Sequence, residues 1–502
     1  MNTARLRQEF PKAIVRWGTP IAITAFLWLT RSNEVSLTQL GLALFLIAIP
    51  WHSYLAWKNR EKSDLPIFAM IAFMYVIYYV MPLFWEPHEI AEFNTQAGRE
   101  LSDSEMTKAL LMVAVGVGSL WLGMRVQVGR LVVPRHISIE APRSRRNYVR
   151  AVLAIGCLFN IYEVSPYALG EGGRQVIILV LNAAPMMAFA LLFRSHLRSD
   201  STHVDWLLML AFVASRLLSG LASGWLGVST TLILICGVIY ITERRRLPRL
   251  APALIVLFIL FFQVGKEDFR KTYWLEGSQG VAEVTAQGGK IERSTFWIKR
   301  SLEKWGDVLN DPSGQTLKDA IIPSVSRVSL LNQTANVIEM TPSVVPYQYG
   351  HLYSYLGVTL IPRFVWPDKP SVSEANQFYQ VAYGLTSEDN LTSVSIGVGF
   401  LTEAYISFAW PGIVGIMLLL GIFFDFYQNF FFSRGSGILL GSIGVVLLPA
   451  MLGIESQMAA YLGGLIQQVL FILLVFLPAL RIRGRSIHLP LAQPVGIVNS
   501  SA

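Results

Sequence analysis

Long apolar stretches separated by short polar connections dominate the chain. Each approaches or reaches the roughly 20 residues that an α-helix needs to cross a hydrocarbon core, and the pattern is not the short alternation of a barrel. A helix satisfies its backbone hydrogen bonds internally, so we predict membrane helices. About twelve are expected: Ala13–Thr30, Leu40–Trp57, Leu65–Trp85, Ala109–Met124, Ala151–Ala168, Val176–Phe193, Trp206–Leu218, Trp225–Ile241, Leu250–Val264, Gly412–Phe431, Ile438–Leu452 and Met458–Leu480.

Composition also indicates a chain surrounded mostly by lipid. The mean hydropathy is +0.47 and only 15% of the residues are charged, far outside the range of soluble proteins. The predicted fold class is all-α, a polytopic bundle of membrane helices. Cys157 and Cys236 lie within apolar stretches and are interpreted as packing residues. The first stretch carries Arg16 and lacks a small-residue cleavage site, so we expect it to remain as an anchor.

Basic residues are concentrated in the connections of one side. They form "ARLRQEFPK", "RHISIEAPRSRRNYVR", "TERRRLPR" and "RIRGRSIH". Because such loops stay in the cytoplasm, we expect both termini there, and the net charge of +8 is a topology signal that argues against nucleic-acid binding. Two termini on one side require an even number of crossings. The apolar segment Ile396–Trp410 is therefore predicted to dip into the membrane or lie flat on it.

One long polar insertion, Gly265–Trp410, interrupts the apolar pattern on the outer face. Long loops on a helical scaffold usually carry function. The predicted organisation is an N-terminal bundle of about nine helices, the insertion with its amphipathic helices and re-entrant segment, the C-terminal helices, and a cytoplasmic tail. Their bounds are 1–264, 265–410, 411–480 and 481–502.

Two helical patterns lie within the insertion. Ser294–Asn310 has apolar residues on one face and charges elsewhere, which indicates a helix on the membrane surface. That face consists of Ile298, Leu302, Trp305 and Leu309. The second pattern, Val325–Ile338, carries Arg327 near its start and predicts another helix.

The segment "LIPRFVWPDKP", Leu360–Pro370, has a stiff backbone because its three prolines each fix φ. Arg363 offers a planar fork of donors suited to phosphate, Lys369 adds a positive charge, and Trp366 suits the bilayer interface. We predict that this segment holds a charged head group. Simple anchoring to lipid phosphate is the alternative interpretation.

Tyrosines surround a histidine just upstream, in "VPYQYGHLYSYLG". Tyr349, His351 and Tyr353 are candidates for binding sugar, since tyrosine combines an apolar ring with a polar hydroxyl. An ordinary aromatic belt at the membrane interface explains the same pattern.

Ionisable residues within apolar surroundings are further candidates. Arg216, Arg174 and Glu163 lie at or near outer helix ends, where ionisable groups indicate a functional site. Arg216 and Arg174 are predicted to bind substrate, and for Arg216 the alternative is a side chain that extends toward the interface. Glu403 lies in the apolar segment "GVGFLTEAYISFAWPG". Partial burial of a carboxylate favours proton transfer near neutral pH, so Glu403 is the candidate base. A charge at a helix start or a partner for a loop arginine is the alternative.

Several common catalytic motifs are missing from the sequence. It has no Walker motif, dinucleotide fingerprint, His-Glu zinc motif or nucleophile elbow. We therefore expect no cofactor and no metal site.

The order of motifs in the insertion resembles a known family. "SVSRVSLLNQTANVIE", "YQYGHLYSY", "LIPRFVWPDKP" and an apolar Gly-rich segment with "TEAY" precede the last helices. This arrangement is similar to that of the Wzy-type oligosaccharide repeat-unit polymerases of O-antigen and exopolysaccharide synthesis. The resemblance is strongest over Ser324–Gly412. The residues that fit the family pattern are Arg327, Gly350, Pro362, Arg363, Trp366, Lys369 and Glu403.

The resemblance implies an inner-membrane glycosyltransferase with its long loop in the periplasm. Such enzymes move a growing glycan from undecaprenyl pyrophosphate onto the terminal sugar of another lipid-linked repeat unit. The implied partners are that lipid-linked oligosaccharide, the bilayer, a chain-length-regulating membrane protein and a flippase. With this activity, Arg216, Arg327 and Arg363 are predicted to stabilise the departing pyrophosphate.

Three other functions remain open at this point. A ligase that passes a finished glycan to another acceptor is chemically close to a polymerase. A secondary transporter or lipid flippase has a similar number of helices, although such proteins usually have two related halves with sites at the midplane. A non-catalytic partner in a glycan-export complex is the third.

Overall fold

The computed structural model describes residues 3–59, 65–85, 102–129, 137–140, 145–162, 170–244, 251–275, 283–284, 288–311, 314–361, 366, 368, 370, 374–388, 391, 397–432, 437–479 and 481–484. The described part is a bundle of helices with two short antiparallel strand pairs. The helices before the insertion are α1 (Thr3–Leu29), α2 (Leu37–Lys58), α3 (Ile67–Tyr75), α4 (Asp103–Arg125), α5 (Arg146–Ile161), α6 (Gly170–Leu197), α7 (His203–Ser223), α8 (Leu226–Arg244) and α9 (Ala251–Gln263).

The insertion and the C-terminal part continue the helical pattern. Their helices are α10 (Lys266–Tyr273), α11 (Lys290–Asn310), α12 (Gln315–Arg327), α13 (Leu331–Met340), α14 (His351–Leu360), α15 (Glu374–Ala382), α16 (Phe400–Phe432), α17 (Gly437–Met451) and α18 (Met458–Phe476). Strand β1 (Ile137–Glu140) pairs with β4 (Arg481–Gly484), and β2 (Trp274–Leu275) pairs with β3 (Glu283–Val284). Helix α3 continues as a π-helix and a 3₁₀ turn, Val76–Val80 and Met81–Phe84.

Eight helices in the described ranges are long and apolar enough to cross a membrane. They are Leu37–Lys58, Ile67–Phe84, Asp103–Arg125, Val180–Leu197, His203–Ser223, Leu226–Arg244, Phe400–Phe432 and Met458–Ala479. The prediction of a helical membrane protein is confirmed. The remaining predicted stretches overlap helices α1, α5, α9 and α17, of which α9 and α17 are shorter apolar helices. A total of twelve crossings stays a prediction.

Helices α4 and α16 pack closely through glycines. A Cβ on Gly123 would lie 2.1 Å from the carbonyl oxygen of Leu418, and a Cβ on Gly421 would lie 2.1 Å from that of Leu120. Only a hydrogen atom fits at either position. Close backbone approach of this kind is a main source of helix association in lipid, because the hydrophobic effect does not act between helices there.

A buried carboxylate joins α5 to α7. Asp205 is fully buried and forms ion pairs at 2.8 Å with Nη2 of Arg146 and Nε of Arg150. Further along both helices, Arg216 of α7 approaches Asn160 of α5. The contacting residue numbers rise together, so the two helices run parallel. The Asp205 cluster thereby sets the register that brings Arg216 next to Asn160.

A second ion-pair cluster lies at the same end of the bundle. Glu243 accepts hydrogen bonds from Nε and Nη2 of Arg198 at 2.8 and 3.0 Å and forms an ion pair with Nε of Arg194 at 3.3 Å. Nη1 of Arg194 also donates to the carbonyl oxygen of Ile438 at 3.0 Å. The cluster joins the ends of α6 and α8 to the start of α17.

The insertion packs onto the bundle through α11. Trp297 is fully buried, and its indole N–H donates to the carbonyl oxygen of Phe262 at 2.8 Å. The helix begins at Lys290, earlier than predicted. Most of the predicted apolar face points away from the protein, as contact with lipid requires: Ile298, Leu302 and Leu309 are exposed, whereas Trp305 is half-buried.

The prediction of one continuous helix over Val325–Ile338 is wrong. Helix α12 ends at Arg327 and α13 begins at Leu331. Between them the N–H of Leu330 donates to the carbonyl oxygen of Tyr78, in the π-helix, at 3.0 Å. This bond between distant segments interrupts a sequence whose apolar spacing is compatible with one continuous helix.

Candidate functional site

Helix α16 breaks close to its start. Its backbone is helical from Phe400 to Ser407, departs from helical geometry at Phe408 and Ala409, and then continues to Phe432. Ala409 has φ 56° and ψ −147°, a conformation that strains any residue with a Cβ atom. Strain of this kind is typically kept where the surrounding structure demands it.

The two parts of α16 lie side by side. A Cβ on Gly116 of α4 would lie 2.3 Å from Leu401, in the first part, and 3.6 Å from Ile413, in the second. In a straight helix these two residues would be about 18 Å apart. A Cβ on Gly412 would likewise lie 2.4 Å from the carbonyl oxygen of Ala404. The first part is therefore a half-helix folded back against the second, and its predicted re-entry into the bilayer stays a prediction.

Glu403 lies on this half-helix, and its side chain is fully buried. Oε2 accepts a hydrogen bond from the backbone N–H of Met458, the first residue of α18, at 2.7 Å. The positive end of the α18 dipole therefore faces the carboxyl group. Oε1 has no hydrogen-bond partner, and no described lysine or arginine pairs with Glu403. One acceptor atom remains available inside the protein.

Two further buried polar atoms without partners lie near Glu403. Ser407, one helical turn further on the same face, is fully buried, and its Oγ makes no hydrogen bond. The hydroxyl of Tyr353 on α14 also lacks a partner. Burial, and after it the nearby Glu403 carboxylate, raise the pKa of Tyr353 well above its ordinary value. The Tyr353 ring stacks on Phe408 with centroids 6.2 Å apart. We call these four residues the Glu403 site.

Buried polar side chains join the half-helix and helices α13 and α15 into one layer. Thr402 of the half-helix is hydrogen-bonded to Thr334 of α13 at 2.8 Å. Two further pairs, Tyr379–Gln333 at 3.2 Å and Tyr383–Thr341 at 2.7 Å, connect the α15 segment to the α13 segment. The π-helix Val76–Val80 packs here with its fully buried Tyr79, and such bulges often mark functional regions. This layer is not predictable from the local pattern, and its one signal in the sequence is the presence of polar residues within apolar stretches.

Arg216 lies near the end of α7 in a separate polar cluster. Nη1 donates to Oδ1 of Asn182 at 2.7 Å and of Asn160 at 3.5 Å, whereas Nε has no partner. Among the described side chains, no carboxylate pairs with Arg216. Lys290 donates to the carbonyl oxygen of Asn160 at 2.8 Å. We call these four residues the Arg216 site, of which the sequence indicated only Arg216.

The described contacts do not join the Arg216 site to the Glu403 site. Among the predicted substrate-binding residues, Tyr353 belongs to the Glu403 site. Tyr349, His351 and Trp366 are exposed. The remaining candidates lie outside the described residues, so their roles stay predictions: Arg363, Lys369 and Glu163, and the side chains of Arg174 and Arg327.

The two sites offer different chemistry. A buried carboxyl group with an available oxygen can accept a proton from a hydroxyl group. A guanidinium group held by amides and not neutralised by a carboxylate can bind an anion. The fold and these sites define a helical membrane protein with buried polar sites at its core.

The chain belongs to the family described as a domain of unknown function, DUF8712, whose sequence profile matches residues 67–443. That range contains every residue of both sites, whereas Met458, whose N–H donates to Glu403, lies beyond it. No curated protein and no solved structure matches the chain.

Proposed function

We propose that the chain is a membrane glycosyltransferase that joins undecaprenyl-pyrophosphate-linked oligosaccharide repeat units into a long surface polysaccharide. The observation that supports this most is Glu403, a buried carboxyl group with an available oxygen on a half-helix folded back beside a strained break. Burial of an unpaired carboxyl group is costly, so its presence in a folded protein indicates a purpose such as proton transfer. The motif order of the insertion supplies the substrate class.

The proposed topology has about twelve crossings, both termini in the cytoplasm and the insertion in the periplasm. The two ion-pair clusters support this arrangement, because both lie at the end of the bundle next to basic connections. Both the Glu403 site and the exposed tyrosine segment before it then belong to the periplasmic half. The product would be formed on the outer face of the inner membrane, where its lipid carrier presents the sugar.

The proposed reaction is a single displacement at an anomeric carbon. The acceptor hydroxyl of one lipid-linked unit attacks this carbon on the growing chain, and its proton passes to Glu403. The anomeric C–O bond to pyrophosphate breaks, and undecaprenyl pyrophosphate leaves with the electron pair. Arg216, Arg327 and Arg363 are the proposed cations that stabilise its charge. The sugar–pyrophosphate bond supplies the driving force, so no nucleotide is required.

A ligase would use the same donor and the same proton acceptor, and it differs only in the acceptor molecule. A transporter or flippase of lipid-linked oligosaccharide is favoured by one specific observation, the discontinuous helix α16. Broken helices with buried polar groups are typical of transporter sites. The two classes differ in whether a covalent bond is formed.

A deletion strain in the native host separates these functions. A polymerase deletion leaves single lipid-linked repeat units on the outer leaflet, and a ligase deletion leaves long chains still attached to the lipid carrier. A flippase deletion traps single units on the inner leaflet. Normal surface polysaccharide in the deletion strain would contradict the proposal.

Point variants then test the proposed residues at matched protein levels. Glu403→Gln, Arg327→Ala and Arg363→Ala are expected to abolish long chains in the complemented strain. Glu388→Gln, at an exposed glutamate before the half-helix, serves as the matched control and retains them. Unchanged glycan ladders for Glu403→Gln would remove Glu403 from the reaction.

A further inference from the structure

The Glu403 site brings together three buried polar atoms that no described group satisfies: Glu403 Oε1, Ser407 Oγ and Tyr353 Oη. Buried polar atoms almost always have partners, since leaving one unsatisfied costs about 1–3 kcal/mol. Glu403 and Ser407 share a face of the half-helix, and Tyr353 lies within electrostatic reach of Glu403. Three such atoms on adjoining elements can hold a polar group that the described residues do not supply.

The electrostatics of the site limit what that group can be. An anion is disfavoured, because Glu403 is itself acidic and no described cation pairs with it. A metal ion is disfavoured as well, because Glu403 Oε2 already accepts from the N-terminus of α18, whose dipole is positive at that end. The ligand group that still fits these three atoms is an uncharged group that both donates and accepts hydrogen bonds. A hydroxyl group has these properties.

The aromatic neighbours narrow the class further. The rings of Tyr353 and Phe408 are parallel, with an interplanar angle of 2°, and Phe408 is 40% exposed. Phe408 therefore reaches the surface while its ring stacks on Tyr353. It sits on the strained Phe408–Ala409 link, where a small rotation moves its ring. Aromatic rings next to hydroxyl-binding groups are suited to the apolar face of a sugar.

We infer that Glu403, Ser407 and Tyr353 form a subsite for a hydroxyl group of an uncharged sugar, with Phe408 covering its entrance. Glu403 Oε1 accepts from the sugar hydroxyl, and Tyr353 donates to it. Ser407 completes the hydrogen bonding as a donor or an acceptor. Resting on the proposed function, this hydroxyl is that of the acceptor sugar, and Ser407 and Tyr353 position it for attack.

The test uses a hydrophobic carbodiimide, which adds to protonated carboxyl groups in apolar surroundings, on the full-length protein. The protein is kept in an amine-oxide detergent, because maltoside detergents carry sugars themselves. Labelling of Glu403 is followed by mass spectrometry, and Glu403→Gln identifies the labelled position. The probes are octyl glucoside, octyl galactoside and octyl mannoside, compared with octyl phosphocholine, which has the same chain and a charged head group.

At least one glycoside is expected to slow labelling of Glu403 about fivefold. Loss of one hydrogen bond worth about 1 kcal/mol weakens glycoside binding about fivefold, which removes most of this protection in a variant. Octyl phosphocholine has no such effect. Ser407→Ala and Tyr353→Phe lose the protection. Two matched controls keep it: Ser119→Ala, a buried serine bonded to its own helix at Val115, and Tyr162→Phe, an exposed tyrosine.

The subsite is overturned if Glu403 is never labelled, if no glycoside protects it, or if octyl phosphocholine protects it equally. Loss of protection in both control variants also overturns it. These outcomes do not depend on polymerisation. If glycosides protect Glu403 but the deletion strain makes normal surface polysaccharide, the proposed function is contradicted and the subsite is retained.

Discussion

Replacement of Asp205 by asparagine tests how α5 is held beside α7. The carboxylate is fully buried between Arg146 and Arg150, with both ion pairs at 2.8 Å. It also caps α7, since the N–H of Thr202 donates to Oδ2 at 2.7 Å. Asparagine has nearly the same shape and can keep part of the cap. The substitution therefore removes mainly the negative charge that the two arginines share.

The size of the effect follows from burial. Removing one partner of a buried ion pair costs about 3–5 kcal/mol. Both arginine side chains are 22% exposed, so water recovers part of this loss. We expect about 2–4 kcal/mol, which for a chain of 502 residues corresponds to a fall in melting temperature on the order of 2–4 °C.

Two native cysteines provide the assay. Cys157 on α5 is buried and Cys236 on α8 is half-buried, so a thiol-reactive dye reports unfolding of the full-length protein in detergent. Asp200→Asn is the control, because Asp200 is 41% exposed and its ion pair with Arg146 is 3.7 Å long. A melting temperature for Asp205→Asn within about 1 °C of that control would refute the reasoning.

Three further outcomes are expected. Arg216→Gln reduces long polysaccharide about tenfold or more in glycan ladders, whereas Arg216→Lys keeps an intermediate amount, because lysine retains the charge but not the fork of donors. Equal loss in both would place the role in guanidinium geometry alone. Gly421→Leu prevents accumulation of folded protein in membrane fractions, since its Cβ would meet backbone at 2.1 Å, but Gly415→Leu on the same helix, with open space around it, accumulates normally. Burial raises the pKa of Tyr383 to about 12, against about 10 for an unfolded tyrosine, so its stabilising contribution is complete below pH 10 and is lost as the pH rises toward 12. Tyr383→Phe should flatten this part of the pH–stability curve.

Helices were the predictable part of the structure, because lipid leaves an apolar chain few other ways to satisfy its backbone. Parity of the crossings singled out Ile396–Trp410, and the chain does turn back there, at Phe408–Ala409. The failure at Val325–Ile338 has a different origin. One hydrogen bond from Leu330 to Tyr78 ends the helix, and nothing in the local spacing reveals it.

The residues of the candidate sites also differ in whether the sequence predicts them. Glu403 and Arg216 stand out in sequence, since each is an ionisable residue in an apolar stretch. Their partners do not: Ser407, Asn160 and Asn182 are ordinary polar residues until packing brings them beside a charge. Polar contacts between helices depend on register, and register is set by distant features such as the Asp205 cluster.

The most direct measurement of the central claim uses purified protein in liposomes with undecaprenyl-pyrophosphate-linked repeat units. The wild-type chain is predicted to produce lipid-linked chains of several units and to release one undecaprenyl pyrophosphate for each new linkage. The Glu403→Gln chain, folded to the same extent, is predicted to release none. Repeat units that stay single with the wild-type protein, or that cross the bilayer without being joined, would contradict the account.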